Sequence, residues 1–410
     1  MPVSTYIHIF GDNQITIWGL NGYERLQRML KAHEYVTLVD NVEKIPPNAS
    51  ALFLNANFLF DTRVLSALLK LNKNIALYNE DGCPAAIRTD GNQAPRLLRN
   101  LNNNKSQNYK FVLLTLPRID LQDLKIDFQQ NLKKKDPPYI LPVSEENRSL
   151  LEKELFSGSY KGVTDLVTKW IWPLPAYWAT HFCVRQGWQP NHVTYLSIVL
   201  AILTGLAFWA GFFGIGLSMG WFMTFLDTVD GKLARVTVTS SRIGDVLDHG
   251  LDIIHPPLWY LAWGAGLAGT QSAIPGLEIF MGLMFLGYVG GRLCEGTFQL
   301  WLAPFDLFIW QKLDSFNRLI TARRNPNLLF LSWGWLIDRP DIGLYLVVFW
   351  HLISTAFLAW RVFMAWRTKN TEGTLKSWLQ DIDPARDREI LAVRIFTRPP
   401  IDLRKPFPLS

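Results

Sequence analysis

The sequence predicts a soluble α/β domain with a parallel sheet, followed by an all-α domain of six transmembrane helices. Two observations predict this division, because the composition and the hydrophobic period both change along the chain. Asn, Lys and Asp are frequent in the first 150 of the 410 residues, whereas Trp, Phe and Gly concentrate in residues 170–366. We expect an α/β domain over 1–140, a linker and interfacial helix over 141–190, the membrane domain over 191–368 and a tail over 369–410.

The α/β prediction rests on short apolar runs that alternate with helical patterns, as in parallel strands joined by crossover helices. The apolar runs are Tyr6–Phe10, Tyr35–Val39, Ala51–Leu54 and Ile75–Tyr78, with a further strand-like run at Phe111–Leu116. The helical patterns between them are Tyr23–Lys31 and Thr62–Leu71. Farther along, Val163–Arg185 is amphipathic and rich in Trp, which predicts a helix lying in the membrane interface.

Six segments of the second half are candidate membrane spans, although several are short or carry charges. They are Val193–Gly211, Phe213–Leu226 with a helical continuation to Arg235, Ile243–Leu267, Ile274–Leu293, Leu328–Ile337 and Ile342–Trp366. The turns at one end of these segments hold almost no Lys or Arg, whereas the loops at the other end hold most of them. This asymmetry predicts a multi-pass protein of the lipid bilayer with both termini in the cytoplasm, and we expect the bacterial inner membrane.

The chain carries a formal net charge of +6, which is compatible with nucleic acid, an anionic membrane surface or phosphorylated substrates. Lys and Arg of the second half stand at the ends of apolar segments and do not form the stripe of a nucleic-acid-binding face. We therefore exclude nucleic acid as a partner. The three cysteines are far apart and lack metal-ligand spacing, so neither a zinc site nor a disulfide framework is predicted.

One stretch carries a pattern that indicates chemistry. It reads D-T-V-D-G-K-L-A-R, then eight residues, then G-D-V-L-D-H-G-L-D. Its fixed members are Asp227, Asp230, Gly231, Ala234, Arg235, Gly244, Asp248 and Asp252. On helices the first four residues share one face, and the last three, each four apart, share another. Two helices thus present four carboxylates to each other.

Carboxylates at a membrane boundary are costly unless cations neutralise them, so this cluster predicts a cation site. Oxygen ligands favour Mg²⁺ or Mn²⁺, and a pair of such ions can hold phosphates for in-line displacement. Arg235 supplies a fork that fits a phosphate, and Gly231 and Gly244 would let a ligand approach the backbone closely.

The spacing D-x2-D-G-x2-A-R-x8-G-x3-D-x3-D resembles the signature of the CDP-alcohol phosphotransferase family at every fixed position. The resemblance implies a six-helix membrane fold that is often a homodimer. It also implies an enzyme of phospholipid synthesis that moves a substituted phosphate group from a CDP-alcohol donor, such as CDP-diacylglycerol, to an acceptor alcohol and releases CMP.

The same resemblance implies roles for single residues. Two ions, Mg²⁺ or Mn²⁺, would be bound by Asp227, Asp230 and Asp248. Asp252 would be the catalytic general base and would also touch the second metal. The residues implicated in holding the diphosphate and cytidine of the donor are Gly231, Arg235, Ser241 and Gly244.

The first 140 residues resemble a diverged nucleotidyltransferase domain, of the kind fused to inositol-phosphate-type transferases of this family. Gly11 and the segment 19–22 stand where that fold has its Gly-rich nucleotide loop, and Asn55 and Asn57 stand where it has an acidic metal-binding turn. Because asparagine replaces the expected aspartate, we interpret the domain as non-catalytic, a scaffold or an oligomerisation module.

Two further readings of the whole chain stay open. One is a bifunctional enzyme that also makes its own CDP-alcohol through the first domain, and the other is a non-catalytic membrane scaffold or transporter. The basic residues Arg318, Arg323 and Arg324 have two readings as well: they bind a phosphate on the acceptor, or they only follow the charge rule for cytoplasmic loops.

Overall fold

The computed structural model describes residues 5–79, 82–103, 116–124, 126, 128–239, 242–268 and 270–398, without the side chains of 100, 102, 103 and 242–249. The chain divides into two compact units. The first comprises Met1–Asp127 with Pro137–Leu155, and the second comprises Phe128–Asp136 with Phe156–Ser410.

The first unit is an α/β fold. Its strands are β1 (Thr5–Phe10), β2 (Val36–Leu38), β3 (Ser50–Asn55), β4 (Phe58–Phe60), β5 (Ile75–Tyr78), β6 (Pro84–Asp90), β7 (Arg118–Ile119) and β8 (Ile140–Pro142). Its helices are α1 (Gly22–Leu30), α2 (Thr62–Lys70) and α3 (Ala94–Asn103). Strands lie at four of the predicted apolar runs, and helices lie at both predicted helical patterns. The run Phe111–Leu116 falls outside the described residues except for its last residue.

The main sheet is mixed, so the prediction of a parallel sheet was wrong. Its strand order is β2-β1-β3-β6-β5-β7, and β6 pairs antiparallel with both β3 and β5. The reason is the short connection between β5 and β6, where the N–H groups of Gly82 and Cys83 bond back to Asn79. A connection this short can join only antiparallel neighbours. Sequence reasoning missed β6 because its residues are buried on both faces and include a charge, Arg88, whose guanidinium donates to the Leu68 carbonyl at 2.8 Å.

The second unit is helical. Helix α4 (Arg148–Gly158) begins in the first unit and ends in the second. The other helices of the second unit are α5 (Leu166–Trp170), α6 (Pro173–Arg185), α7 (Pro190–Trp209), α8 (Phe213–Val236), α9 (Arg242–Leu267), α10 (Leu277–Thr297), α11 (Lys312–Ile320), α12 (Arg324–Leu336), α13 (Pro340–Glu372) and α14 (Leu391–Phe396). The predicted interfacial helix is broken into α5 and α6, because Pro173 lacks the N–H that a continuous helix would need there.

Three helices among the described residues are long and apolar enough to cross a bilayer, which supports an integral membrane protein. They are Pro190–Trp209, Leu277–Leu302 and Pro340–Glu372. The other three predicted spans are also helical, but they are not both long enough and apolar enough to be counted as candidate spans. Helices α8 and α9 carry the charges of the motif, and α12 has only 13 residues, which span about 20 Å of a core about 30 Å thick.

Small residues let α7, α8 and α9 approach closely around Phe208. A Cβ on Gly266 of α9 would lie 2.0 Å from the carbonyl oxygen of Phe208, and one on Gly216 of α8 would lie 2.4 Å from its ring. The indole of Trp259 donates to the Ala201 carbonyl at 2.8 Å, so the one polar atom of this buried side chain is satisfied. Close packing of this kind holds the helices that carry the motif.

The close packing of α7 against α9 can be tested at Gly266. We expect Gly266→Ala to separate α7 from α9 and to destabilise the protein by about 1–3 kcal/mol, because the new methyl meets backbone that cannot move aside. Gly282→Ala on α10 is the matched control, since a Cβ there meets nothing within 4 Å. Thermal unfolding in detergent measures both variants. Equal unfolding temperatures for the two variants would contradict the proposed packing.

Candidate active site

Two of the motif acids lie on α8, one turn apart. The carboxylate of Asp230 is buried and accepts a hydrogen bond from Thr194 Oγ1 of α7 at 2.9 Å, so α7 fixes its orientation. Asp227 lies on the wall of a cavity, where it is joined by Asp252 from α9. Asp230 is not among the residues that line this cavity, so among the described side chains the structure brings Asp227 and Asp252 together, while Asp230 bonds to α7.

A single guanidinium joins the two motif helices. Arg324, the first residue of α12, donates from Nη2 to Asp227 Oδ2 at 2.6 Å and from Nη1 to Asp252 Oδ1 at 2.7 Å. The side chains of Arg324 and Asp227 are 13% and 19% exposed, whereas that of Asp252 is 45% exposed toward the cavity. Carboxylates from α8 and α9 thus converge on one cation.

This convergence is the observation that fits a metal site. The donors are hard carboxylate oxygens, which suit Mg²⁺ or Mn²⁺, and they already share a cationic partner. Among the described side chains, no group of three or more His, Cys, Asp or Glu forms a complete ligand set. Three predicted site residues cannot be placed: Ser241 lies outside the described residues, the side chain of Asp248 is not described, and at Gly244 only the helical backbone is described.

The cavity beside the acids has a volume of about 170 Å³ and a basic lining. Its charged residues are Asp165, Asp227 and Asp252 on the acidic side and Lys161, Lys232, Arg235, Arg292, Arg318, Arg323 and Arg324 on the basic side. Cations outnumber acids by more than two to one, so the cavity favours an anionic ligand.

The two residues predicted to bind the donor that can be placed, Gly231 and Arg235, both line this cavity. Arg235 Nη1 donates to the Ser159 carbonyl at 3.1 Å, and Lys232 Nζ donates to the same oxygen at 3.1 Å. The Lys232 ammonium also lies 3.2 Å from the centre of the Tyr160 ring. Sequence reasoning missed Lys232, because it occupies a variable position of the motif and its partners are more than 70 residues away.

The cavity wall opposite the motif is built from α5 and the start of α12. Asp165 caps α5 by accepting from the N–H groups of Val167 and Thr168, and it also accepts from Asn325 Nδ2 at 2.9 Å. Burial alone would raise the pKa of Asp165, but the Arg318 charge and the hydrogen bonds from Thr168 and Asn325 outweigh it and hold the pKa below its usual value. This anchored carboxylate fixes Asn325, and with it the neighbouring Arg324.

In the first unit, the asparagines at the expected metal-binding turn are engaged with backbone. Asn55 Nδ2 donates to the Pro84 carbonyl at 3.1 Å, and its Oδ1 accepts from the N–H of Asn57 at 3.0 Å. Asn57 Oδ1 accepts from the N–H of Asn13 at 3.2 Å. These side chains hold the loops together, and a neutral amide is a poor ligand for a catalytic metal.

Two helices whose carboxylates meet at the wall of a basic cavity, in a chain with three candidate membrane spans among the described residues, define a membrane protein with a site that favours an anionic ligand. Residues 188–290 match the family model of the CDP-alcohol phosphatidyltransferases, and this segment includes the whole motif. The chain therefore contains a CDP-alcohol phosphatidyltransferase domain, which confirms the family predicted from the motif.

Named relatives agree with this assignment over part of their length. The chain is 31% identical to cholinephosphotransferase 1 of Gallus gallus over 134 residues, which are 28% of this chain and 37% of the relative. It is 26% identical to cholinephosphotransferase 1 of Danio rerio over 202 residues, 43% of this chain and 50% of the relative. It is 25% identical to ethanolaminephosphotransferase 1 of Homo sapiens over 202 residues, 43% of each chain. The similarity thus covers half or less of each relative.

The bridge made by Arg324 can be tested by Arg324→Gln. Without the guanidinium, Asp227 and Asp252 face each other unneutralised, so we expect a loss of about 1–3 kcal/mol in the free energy of unfolding in EDTA. Added Mg²⁺ or Mn²⁺ should restore part of the loss, because a divalent ion supplies the missing positive charge. Thermal unfolding in detergent measures both effects.

Arg339→Gln is the control for this test. Arg339 also pairs with an aspartate, Asp341, but its side chain is 56% exposed, and exposed ion pairs contribute little. We expect Arg339→Gln to leave the unfolding temperature unchanged. If Arg324→Gln behaved in the same way, the bridge would not stabilise the site.

Proposed function

We propose that this protein is a membrane enzyme that transfers a substituted phosphate group from a CDP-alcohol to an acceptor alcohol and releases CMP, in phospholipid synthesis. The observation that carries the proposal is the convergence of Asp227 and Asp252 on one cation at the wall of a basic cavity. The match of residues 188–290 to the CDP-alcohol phosphatidyltransferases supports it, as do relatives named for choline and ethanolamine phosphotransfer.

In the proposed reaction, Asp252 accepts the proton of the acceptor hydroxyl. The hydroxyl oxygen then attacks the phosphorus distal to cytidine, and the bond from that phosphorus to the bridging oxygen breaks with its electron pair leaving on CMP. The position of Asp252 supports this role, because its side chain is 45% exposed and lines the cavity. A base must lie within reach of the proton that it takes, and Asp227 and Asp230, the other motif acids with described side chains, are more enclosed.

Asp227, Asp230 and Asp248 would hold two divalent ions, Mg²⁺ or Mn²⁺, with Asp252 touching the second. When bound, such ions would neutralise the donor diphosphate and the leaving CMP. Thr194 positions Asp230 for this task through its hydrogen bond. Gly231 would leave room for the donor. The space in front of it is open, since even a Cβ there would lie 3.6 Å from the nearest atom, in the Arg235 guanidinium. Arg235 itself, with Ser241 and Gly244, would hold the diphosphate and cytidine.

The arrangement in the membrane follows from the same proposal. Six spans within 191–368 would place the linker of 141–190 and the tail of 369–410 in the cytoplasm of a bacterial inner-membrane homodimer. The helicity of all six predicted segments supports this arrangement. The domain at 1–140 would be nucleotidyltransferase-like but non-catalytic, and the engagement of Asn55 and Asn57 with backbone supports that assignment.

The experiment that tests the function is CMP release by the purified full-length protein in detergent with Mg²⁺ or Mn²⁺. CDP-diacylglycerol and soluble CDP-alcohols serve as donors, each with a panel of acceptor alcohols. Metal-dependent CMP release that requires an acceptor is the expected result. Absence of release with every donor, from protein shown to be folded, would favour a non-catalytic scaffold or transporter.

Asp252→Asn should lower the rate of CMP release by about 100- to 10,000-fold, because the amide cannot accept the proton. The substitution preserves size, so we expect donor binding to persist. Asp381→Asn is the control, since Asp381 is an exposed carboxylate of the C-terminal segment. A rate for Asp252→Asn close to that of the control would remove Asp252 from the base role.

A further inference from the structure

The cavity holds more positive charge than the proposed reaction uses. Arg324 is neutralised by Asp227 and Asp252, and Lys232 and Arg235 both donate to the Ser159 carbonyl. Bound divalent ions would add positive charge, and a CDP-alcohol diphosphate carries only about two negative charges. A surplus of cations therefore remains on the part of the wall that lies outside the motif.

Three of these cations, Arg292, Arg318 and Arg323, come from residues 292–323. Glu295 pairs with Arg323 and lies 3.6 Å from the Arg292 guanidinium, so one carboxylate serves two cations. Arg318, by contrast, forms no ion pair within 4 Å in the described part of the chain. Its Nε and Nη1 atoms are buried and lack a hydrogen-bond partner among the described residues.

The unpartnered arginine is nevertheless held in place. The guanidinium of Arg318 lies 5.4 Å from the centre of the Phe308 ring, and that of Arg323 lies 5.7 Å from the same ring. Phe308 is fully buried, which gives both cations a rigid support. Burial, followed by the neighbouring Arg323 charge, lowers the pKa of Arg318 to about 10. The carboxylates of Asp165, Glu295 and Asp306 offset only part of this lowering. A desolvated guanidinium whose N–H groups lack hydrogen-bond partners is costly, and a bound anion would remove that cost.

We propose that Arg318, with Arg323 beside it on Phe308, binds a phosphate group that the acceptor alcohol carries. This inference rests on the proposed function and specifies its second substrate. The acceptor is a phosphorylated alcohol, in contrast to a neutral lipid such as diacylglycerol. Its phosphate is bound and unchanged, while its free hydroxyl reacts at Asp252.

The assignment to the acceptor, and not to the donor, follows from where the residues lie. The residues assigned to the donor come from the motif on α8 and α9, within the segment 188–290 that matches the family. Arg318 comes from α11 and Arg323 from the residue before α12, both outside that segment. Arg324, the next residue, binds Asp252, so the anion site adjoins the residue that would deprotonate the acceptor.

A binding measurement without donor tests the site itself. Full-length protein in detergent is titrated with radiolabelled glycerol 3-phosphate or inositol phosphate, each beside its unphosphorylated alcohol. We expect Arg318→Gln to weaken binding of the phosphorylated alcohol by about 10- to 100-fold, because a charge-assisted hydrogen bond is lost. Arg318→Lys should retain part of the affinity, and Arg386→Gln, at a guanidinium that is 77% exposed, should retain all of it.

CMP release then distinguishes this inference from the function on which it rests. Phosphorylated acceptors should be preferred, and Arg318→Gln should raise the KM of the acceptor and leave that of the donor unchanged. Soluble phosphorylated alcohols and vesicles that contain phosphatidylglycerol are separate arms, because a free alcohol or a lipid headgroup can supply the same phosphate.

Three outcomes would overturn the inference while leaving the transferase intact. They are CMP release with diacylglycerol or unphosphorylated alcohols at equal efficiency, no binding of any phosphorylated alcohol, and equal binding by the wild type and Arg318→Gln. Failure of CMP release with every donor and acceptor would instead reject the proposed function, and with it the role of the bound phosphate as part of an acceptor. Thermal unfolding of Arg318→Gln and Arg318→Lys shows whether either variant is folded.

Discussion

The arrangement of the candidate site depends on the pairing of Arg324 with two carboxylates. Asp227 and Asp252 come from different helices, and two carboxylates that approach the same guanidinium would repel each other without it. The guanidinium meets this need with a fork of two short hydrogen bonds, one to each helix. Because Arg324 begins α12, the same contact ties α12 to α8 and α9. The geometry of the acids is therefore inseparable from the position of a helix outside the motif.

Four other charges near the cavity, those of Lys232, Arg235, Asp230 and Asp165, bond to backbone groups and to neighbouring polar side chains. The Ser159 carbonyl accepts from both Lys232 and Arg235, and Thr194 supplies a donor to Asp230. Asp165 Oδ1 accepts from two backbone N–H groups and from Asn325 Nδ2. Each contact reduces the desolvation cost of a charge in a largely apolar unit, and each also joins two elements. The polar network thus organises the same helices whose apolar faces are held together by close packing around Phe208.

Local sequence patterns predicted many of the helices and strands. Contacts between residues far apart in the sequence account for the features that these patterns missed. The helices that carry Asp227 and Asp252 follow from periodicity, and four strands follow from apolar runs. The antiparallel strand β6 was missed because Arg88 is a buried charge whose partner is the Leu68 carbonyl. The partners of Arg324 are 72 and 97 residues away, and no local signal encodes such a pairing. A sequence shows which residue types are present, but the assignment of an arginine to a carboxylate or to a phosphate depends on what the fold places beside it.

The division between the motif and its surroundings also bears on substrate choice. The segment that matches the family, 188–290, contains the acids and the proposed donor contacts, which the common reaction needs. Three of the residues that give the cavity its excess of positive charge, Arg292, Arg318 and Arg323, follow that segment, and a fourth, Lys161, precedes it. A match over this segment can therefore support a reaction class without constraining the acceptor. The chain matches its named relatives over half their length or less, so their names do not constrain the acceptor either. The acceptor must therefore be inferred from the charges of this cavity.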